Sequence, residues 1–274
     1  MKLKEALKNC LSTDELDMLI RGYDIVGDMA ITIIPPDLER HESLIGRTIL
    51  AINKHVRVVA KRDGNYSGQY RIINLKIIAG ENRKETMHQE FGVKLHLNPE
   101  TVYFSVRSGN ERNRIAGLVQ PNETILVMFS GVGPYPLIIA RHNKSCTVTG
   151  VELNEDAHAF ALRNLKINKA DKQVRFLHGD VREIVPQLGL AFDRIIMPLP
   201  KTAHDFLPLA IQNLKRDGWL HFYDFQSSDS FAMALEKVNR CCSFLRRQVL
   251  ESEIVICGHS GPDTHRICVD ARIG

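Results

Sequence analysis

The sequence has little of what would place it in a membrane or outside the cell. No uninterrupted apolar run among its 274 residues reaches the roughly 18 that a membrane-spanning helix needs, so we expect no membrane partner. The N-terminal residues lack the apolar core and the small-residue cleavage site of a secretion signal. The 6 cysteines form no CxxC pair, which disfavours a zinc site or a disulfide framework. These absences predict a cytoplasmic protein with reduced thiols.

Neither sign of charge dominates, because 36 Lys+Arg stand against 32 Asp+Glu for a net charge of +4. So small an excess permits a nucleic-acid partner without requiring one. Hydrophobic residues make up 44% and charged residues 25% of the chain, which is typical of a globular protein and excludes extended disorder. The length exceeds one typical domain of about 100–200 residues, so we expect one large or two smaller domains.

The first part of the chain predicts a short helical lead, residues 1–22, and then a small α+β domain, residues 23–98. Ser12 and Glu15 stand just before apolar positions with the spacing of a helix capping box. Turn residues and apolar alternation indicate the elements of the small domain. We expect a strand at 24–34, a helix at 38–52, and a hairpin of strands at 56–60 and 69–75.

Residues 99–274 alternate short apolar runs with helical segments. Continuous runs of Val, Ile and Leu are typical of buried parallel strands, and their alternation with helices predicts a doubly wound, mostly parallel sheet. This part of the chain is therefore expected to form a Rossmann-like α/β domain. Strands are predicted at 124–129, 146–151, 174–178, 194–197 and 219–225, with 244–250 and 267–271 pairing as closing edge strands.

A glycine turn and two acidic residues follow the first three of these strands. Gly131 and Gly133 lie in the turn after the first strand, where backbone amides can approach a ligand. Glu152 ends the second strand, and a carboxylate there can accept both hydroxyls of an adenosine ribose. Asp180 follows the third strand and suits an adenine amino group. Because ligands of such sheets bind at the carboxyl ends of the strands, this pattern predicts an adenosine ligand.

Two common adenosine ligands do not fit the turn. Pro136 stands where a dinucleotide fingerprint has its third glycine, and the chain has no GxxxxGK[ST] motif for a nucleoside triphosphate. The remaining common choice is S-adenosylmethionine, whose methyltransferases use this order of turn, acidic residue and Asp.

Several separate blocks lie in one order over about residues 23–272. The main blocks are GQYR at 68–71, YFSVRSGNER at 103–112, MFSGVGP at 128–134, VELN at 151–154, MPLPK at 197–201 and HFY at 221–223. Together they resemble a single family, the archaeal and eukaryotic tRNA (guanine-37-N1)-methyltransferases. The resemblance implies a class I methyltransferase sheet with a smaller α+β domain in front, S-adenosylmethionine as cofactor and tRNA as partner; we expect a monomer.

The resemblance also implies catalytic roles. N1 of guanine carries a proton at neutral pH, so methyl transfer needs a base for that proton and a donor for the charge that builds on the neighbouring carbonyl oxygen. By the resemblance, Glu111 is the base and Arg71 stabilises the oxygen. No fixed metal site is implied, although Mg²⁺ can assist the family's reaction. The residues implied to line the cofactor and target-base pocket are Tyr103, Arg107, Arg112, Phe129, Gly131, Gly133, Glu152, Asn154, Asp180 and Pro200.

Other interpretations remain open at this point. Glu111 could be a solvated carboxylate at a helix start, and Asn154 could be a helix cap. The related wybutosine-pathway aminocarboxypropyl transferase shares the fold and the cofactor but transfers a different group of that cofactor. Val127 and Pro198 replace an Asp and an Asn that the family usually carries. These two departures motivate a third hypothesis, a non-catalytic RNA-binding homologue.

Overall fold

The structure, a computed structural model, describes residues 2–259, 261 and 263–274, without the side chains of 65–67. It divides into two compact units. The first comprises the residues up to Glu90 together with Lys94–Val106, and the second comprises Phe91–Val93 and Arg107–Gly274. The division at Val106 lies a few residues beyond the boundary predicted after residue 98. No helix in the described ranges is both long enough and apolar enough to cross a membrane.

The first unit is a four-stranded sheet with three helices. The sheet order is β1-β2-β3-β4, with β2 and β3 parallel and the outer pairs antiparallel, and β5 and β6 form a separate pair. A buried apolar cluster joins the helices to the sheet and includes Leu7, Ile45 and Val59. The elements are α1 (Leu3–Leu7), α2 (Thr13–Met18), β1 (Tyr23–Val26), β2 (Met29–Thr32), α3 (Glu42–Ile52), β3 (Val58–Ser67), β4 (Ile72–Gly80), β5 (Thr86–Glu90) and β6 (Val93–Leu97).

The helical lead forms as its sequence predicts. Ser12 and Glu15 make the reciprocal capping box: the Glu15 amide donates to the Ser12 hydroxyl at 3.3 Å, and the Ser12 amide donates to Glu15 Oε2 at 2.8 Å. These bonds satisfy two amides at the start of α2 that the helix itself cannot satisfy. The lead is two short helices rather than one.

Three predicted elements of the first unit differ in the structure. The single strand at 24–34 is the hairpin β1–β2, because Gly27 adopts a φ of +59° and turns the chain. The predicted helix at 38–52 begins as a 3-10 turn, Pro36–His41, and becomes α-helical from Glu42. The hairpin expected to turn at residues 63–68 instead turns at 68–71, so β3 is longer than predicted.

The second unit is a seven-stranded sheet with helices between its strands, which confirms the predicted fold class. The strand order is β12-β13-β11-β10-β7-β8-β9, and the pairs from β11 to β9 are parallel. The elements are α4 (Gly109–Leu118), β7 (Thr124–Met128), α5 (Pro134–His142), β8 (Thr147–Glu152), α6 (Glu155–Ile167), β9 (Val174–His178), α7 (Val181–Gln187), β10 (Phe192–Met197), α8 (Leu207–Gln212), β11 (Leu214–Gln226), α9 (Phe231–Phe244), β12 (Val249–His259) and β13 (His265–Ile273).

The end of the chain corrects the prediction of two closing edge strands. The strands do pair, but β13 lies inside the sheet, antiparallel to both β11 and β12, so that of these two strands only β12 lies at an edge. The predicted strand at 244–250 lies largely between elements, since β12 begins at Val249. Helix α9 precedes this segment, and its buried residues Ala234, Val238 and Cys242 recur at the helical interval of four.

Candidate functional site

Three sequence-predicted ligand residues lie at or just after the ends of neighbouring parallel strands of the second unit. Register pairs Met128 of β7 with Val151 of β8, and Glu152 of β8 with His178 of β9. Phe129, Glu152 and Asp180 therefore lie at the same edge of the sheet, where its carboxyl ends meet. This edge is where an open α/β sheet binds its ligand.

The turn after β7 is built around the Glu152 carboxylate. The Gly131 amide donates to Glu152 Oε2 at 2.7 Å, and the Asn154 amide donates to Oε1 at 2.8 Å. Gly131 has a φ of +57° and Phe129 a φ of +58°, a left-handed conformation that costs a residue with a side chain about 1–2 kcal/mol. The sequence thus folds this turn against Glu152 and fixes the orientation of the carboxylate.

Burial dominates the electrostatics of Glu152. It raises the pKa of this carboxyl, while the amide hydrogen bonds from Asn154, Gly131 and Leu153 act in the opposite direction. Fixed backbone donors stabilise the ionised form that a ribose diol would meet.

The same turn has features that fit the adenosine part of S-adenosylmethionine. The Ser130 hydroxyl is buried and has no hydrogen-bond partner among the described residues, and a buried polar group of this kind usually has one. Ser130 directly precedes Gly131, whose amide donates to the Glu152 carboxylate. A ligand that carries hydroxyl and amino groups suits this combination of donors and acceptors.

The turn requires the backbone freedom of a glycine at position 133. Its φ is +90°, and a Cβ placed on it would lie 2.5 Å from Phe176 Cζ. Backbone strain and the clash therefore act together at the start of α5.

We expect Gly133→Ala to lower the free energy of unfolding by about 2–4 kcal/mol, the combined size of left-handed strain and overpacking. Gly189→Ala is the matched control, because Gly189 has a φ of +58° and nothing within 4 Å of its added Cβ. It should cost only about 1 kcal/mol in denaturant titrations. Equal losses in the two variants would show that the Phe176 contact is unimportant.

Asn154 and Asp180 both cap helices at this edge. The Asn154 side chain accepts from the Asp156 amide at 3.0 Å, so the helix-cap interpretation of Asn154 is correct for this structure. Asp180 caps α7 and pairs with Arg182, whose hydrogen bonds lower the pKa of the Asp180 carboxyl. Capping fixes both side chains at the edge without deciding whether they also contact a ligand.

An aromatic pair and a proline border the edge near β10. The Phe129 ring meets the Phe206 ring edge to face, with centroids 4.9 Å apart. Pro200 is buried in the segment that follows β10, and Pro198 is half-buried there. Because proline fixes its own φ, two backbone torsion angles of this segment are restricted.

Glu111 is buried rather than solvated, which excludes the solvated helix-start interpretation. It lies in the first turn of α4 with 5% of its surface exposed. Arg114 donates to both of its oxygens, at 2.7 Å and 2.8 Å, and the Tyr223 hydroxyl donates to Oε1 at 2.6 Å. A carboxylate has about four acceptor positions, and the described side chains fill three of them.

Two tyrosines connect Glu111 to the glycine turn. The Tyr135 hydroxyl donates to the Tyr223 hydroxyl at 3.0 Å, and Tyr135 lies in the first turn of α5, just after Gly133. Burial raises the pKa of both phenols, so each keeps its proton and Tyr223 remains a donor to Glu111. The second unit thereby joins the predicted base to the predicted cofactor edge.

Beyond Arg114 the polar contacts continue through the unit. Arg114 also donates to Asp270 at 2.5 Å, and His221 Nδ1 lies 2.6 Å from Asp270 Oδ1. His221 Nε2 lies 2.6 Å from Arg194, which pairs with Glu123. Since arginine can only donate, Nε2 accepts and Nδ1 carries the proton.

One group of side chains in the described ranges has the spacing of metal ligands. The ligand atoms of His221, Cys268 and Asp270 lie within 4.8 Å of one another. Both His221 nitrogens are already engaged, and the guanidinium groups of Arg114 and Arg194 contact the same group. Two neighbouring positive charges disfavour a cation, so we interpret the group as part of the hydrogen-bond network.

Arg71 and Tyr103 lie together in the first unit. The Arg71 guanidinium carbon is 4.4 Å from the centre of the Tyr103 ring, a cation–π contact that orients the arginine. Arg71 follows Gly68 in a tight turn and has a φ of +52°. In the second unit Arg107 is exposed and Arg112 is buried on α4 beside Glu111.

Sequence reasoning assigned no role to Arg114, Tyr135, Tyr223 or Asp270. A signal existed for two of them. Arg114 lies three residues after Glu111, the spacing of an ion pair on one helix face. Asp270 is a carboxylate within a run of apolar residues, and an acid in a buried strand needs a partner. The tyrosine contacts depend on tertiary packing and had no such signal.

Comparisons with known proteins give one consistent family. Residues 86–250 match the TRM5/TYW2 methyltransferase domain, and residues 3–83 match the TYW2 N-terminal domain. The tRNA (guanine(37)-N(1))-methyltransferase Trm5b of Pyrococcus abyssi is 35% identical over 255 residues, which cover 92% of this chain and 74% of the relative. The crystal structure of that organism's Trm5b superposes with a TM-score of 0.88 at 34% identity, covering 96% of this chain and 78% of the other.

Two further relatives bear on substrate. A complex of aTrm5 with tRNALeu superposes with a TM-score of 0.84 at 28% identity and covers 100% of this chain and 78% of the other. The tRNA (guanine(37)-N(1))/4-demethylwyosine(37)-methyltransferase Taw22 of Nanoarchaeum equitans is 30% identical, covering 91% of this chain and 98% of the relative.

Proposed function

Because the chain belongs to the TRM5/TYW2 methyltransferase family, we propose that it methylates N1 of guanosine 37 in tRNA with S-adenosylmethionine as donor. The observation that carries the proposal is the surrounding of Glu111. This carboxylate is buried, oriented by Arg114 and Tyr223, and linked through Tyr135 to the glycine turn that fits the cofactor.

In the proposed reaction, different residues of the chain perform different steps. S-adenosylmethionine, when bound, supplies a methyl group activated by the positive charge on its sulfur. Glu111 accepts the N1 proton as the bond from N1 to the methyl carbon forms and the carbon–sulfur bond breaks. Arg71 donates to the guanine carbonyl oxygen, where negative charge builds as the proton leaves. Glu152 accepts from the ribose hydroxyls, and the glycine turn supplies backbone amides.

Methyl transfer to defined tRNA tests the proposal. With methyl-labelled S-adenosylmethionine and unmodified tRNA, we expect label in tRNA that carries G37 and none in the same tRNA with A37. Label that enters both RNAs equally would reject guanosine 37 as the target. Repeating the assay with and without Mg²⁺ shows whether the ion assists the reaction.

A second candidate is favoured by one observation. Residues 3–83 match the TYW2 N-terminal domain, so this part of the chain is shared with the aminocarboxypropyl transferase branch of the family. Donor labelled in the carboxyl carbon distinguishes the two reactions, because only aminocarboxypropyl transfer moves that label into RNA. If neither label moves while calorimetry detects tRNA binding, the chain is a non-catalytic RNA-binding homologue.

A further inference from the structure

Arg114 is shared between two buried carboxylates. Its Nε and Nη2 donate to Glu111 at 2.7 Å and 2.8 Å, and its Nη1 donates to Asp270 at 2.5 Å. We propose that Asp270 is a positioning residue of the methyl-transfer reaction, acting on Glu111 by drawing part of the Arg114 charge and hydrogen bonding to itself. The inference rests on the proposed function, since Asp270 has this role only if Glu111 accepts the N1 proton.

The sharing resolves a conflict in the site. A carboxylate paired with a guanidinium at hydrogen-bond distance has its pKa lowered by about 1–3 units, which makes it a poorer base. Arg114 nevertheless orients Glu111 through two hydrogen bonds. With Asp270 on its other side, the group of two carboxylates and one guanidinium keeps a net negative charge. Glu111 thus keeps the orientation that Arg114 gives it, while Asp270 shares the positive charge of Arg114.

Asp270 can do this because it stays ionised. Burial alone would raise the pKa of its carboxyl, but the hydrogen bonds from His221 and Arg114 hold that pKa well below the ordinary value. Burial lowers the pKa of His221, so His221 is neutral near pH 7 and acts as a hydrogen-bond donor to Asp270. The proton from guanine therefore has Glu111, and not Asp270, as its acceptor.

The other titratable groups near Glu111 keep one protonation state around neutral pH. Tyr135 of α5 and Tyr223 of β11 remain protonated because burial raises the pKa of each. On β12 and β13, burial raises the pKa of Cys257 to about 11 and that of Cys268 further. The positively charged groups on these elements are Arg112 and Arg114 of α4, Arg141 of α5, Lys215 and Arg216 of β11, and Arg266 and Arg272 of β13. The test is therefore the difference between variants in the acid limb, the part of the pH profile where the rate falls toward low pH.

Opposite shifts of that acid limb test the inference. The rate of single-turnover methylation of G37 tRNA is measured at pH values from about 5 to about 9. Asp270→Asn leaves the Arg114 charge to Glu111 alone, so we expect the acid limb to move to lower pH by about one unit and the plateau rate to fall about tenfold. Arg114→Met removes the charge, so the limb should move to higher pH.

Two measurements separate this effect from damage to the fold. Thermal unfolding identifies the temperatures at which each variant is folded, and calorimetry checks that S-adenosylmethionine affinity is unchanged. Tyr223→Phe removes an uncharged donor from the same carboxylate, so it should move the limb upward by less than Arg114→Met does. If Asp270→Asn does not fold, Asp270→Ser replaces it, since it also removes the charge, and its limb should move to lower pH. In the Arg114→Met background, Asp270→Asn should leave the limb unmoved, because Asp270 acts on Glu111 through Arg114.

The results discriminate between the two proposals. Wild-type protein that transfers no methyl group to G37 tRNA rejects the proposed function itself. An active wild type combined with a folded Asp270→Asn variant whose acid limb is unmoved, or moves upward with that of Arg114→Met, rejects the role of Asp270 and leaves the function intact. A limb that Asp270→Asn moves in the Arg114→Met background also rejects it, because Asp270 would then act without Arg114.

Discussion

Glu111→Gln is expected to lower the single-turnover rate of methyl transfer by about 10²–10⁴-fold, the usual contribution of a general base. Glutamine keeps the size of the side chain and can still accept from Tyr223, but it cannot take a proton at neutral pH. Rapid-quench measurement with saturating tRNA and methyl-labelled donor gives the rate. Calorimetry should show cofactor affinity within about threefold of wild type, since only an interaction of the transition state is lost.

Glu15→Gln is the matched control for this variant. Glu15 is also a buried glutamate at the start of a helix, and it accepts from an arginine, Arg40, at 2.6 Å. It lies in the capping box of α2, so its replacement should reduce stability and leave the rate unchanged where the protein is folded. A rate loss below about threefold in Glu111→Gln would remove the general-base role, because so small a change is outside the range of proton-transfer catalysis.

Glu152→Gln is expected to weaken S-adenosylmethionine binding by about 10–100-fold, the loss of one or two hydrogen bonds to a charged acceptor. The amide has one acceptor atom where the carboxylate has two. Either the Gly131 amide or the Asn154 amide then faces an NH₂ group instead of an oxygen. Isothermal titration with the cofactor measures the effect, and tRNA binding without the cofactor should be unchanged.

Asp193→Asn provides the comparison for this loss. Asp193 lies near the start of β10, at the opposite end of the parallel strands, where it accepts from the Thr124 amide and from Lys215. Its replacement should affect stability and not cofactor affinity. Equal affinity losses in the two variants would mean that Glu152 acts through general destabilisation and that the adenosine site lies elsewhere.

The parallel core was predictable because local sequence and burial agree there. β7 is a short run of apolar residues and β8 is buried over most of its length, and their ends place the glycine turn and Glu152 at the ligand edge. The late part of the second unit was predicted less well. Helix α9 was not predicted, although its buried residues recur at the helical interval of four. Strand β13 pairs with a strand on each side, an arrangement that only the assembled sheet reveals.

The candidate site divides in the same way. Glu111 was predicted by resemblance, yet its burial and its contact with Tyr223 depend on residues 112 positions apart in the chain. Asn154 illustrates the reverse, since its capping role follows from local sequence alone. Contacts within a few residues were therefore accessible to sequence reasoning, whereas the bonds from Tyr223 to Glu111 and from Arg114 to Asp270, which join distant parts of the chain, were not.

The position of β13 also has a consequence for the order in which the molecule assembles. Arg114 and Asp270 lie 156 residues apart, and β13 leaves the ribosome after every other strand of the sheet. Contacts so distant in sequence form late, because closing a long loop precedes any gain from them. During synthesis the chain would therefore form the sheet edge with the glycine turn before it forms the Asp270 contact that helps to hold Glu111 in place. Pulsed hydrogen exchange during refolding should accordingly protect the amides of β8 before those of β13.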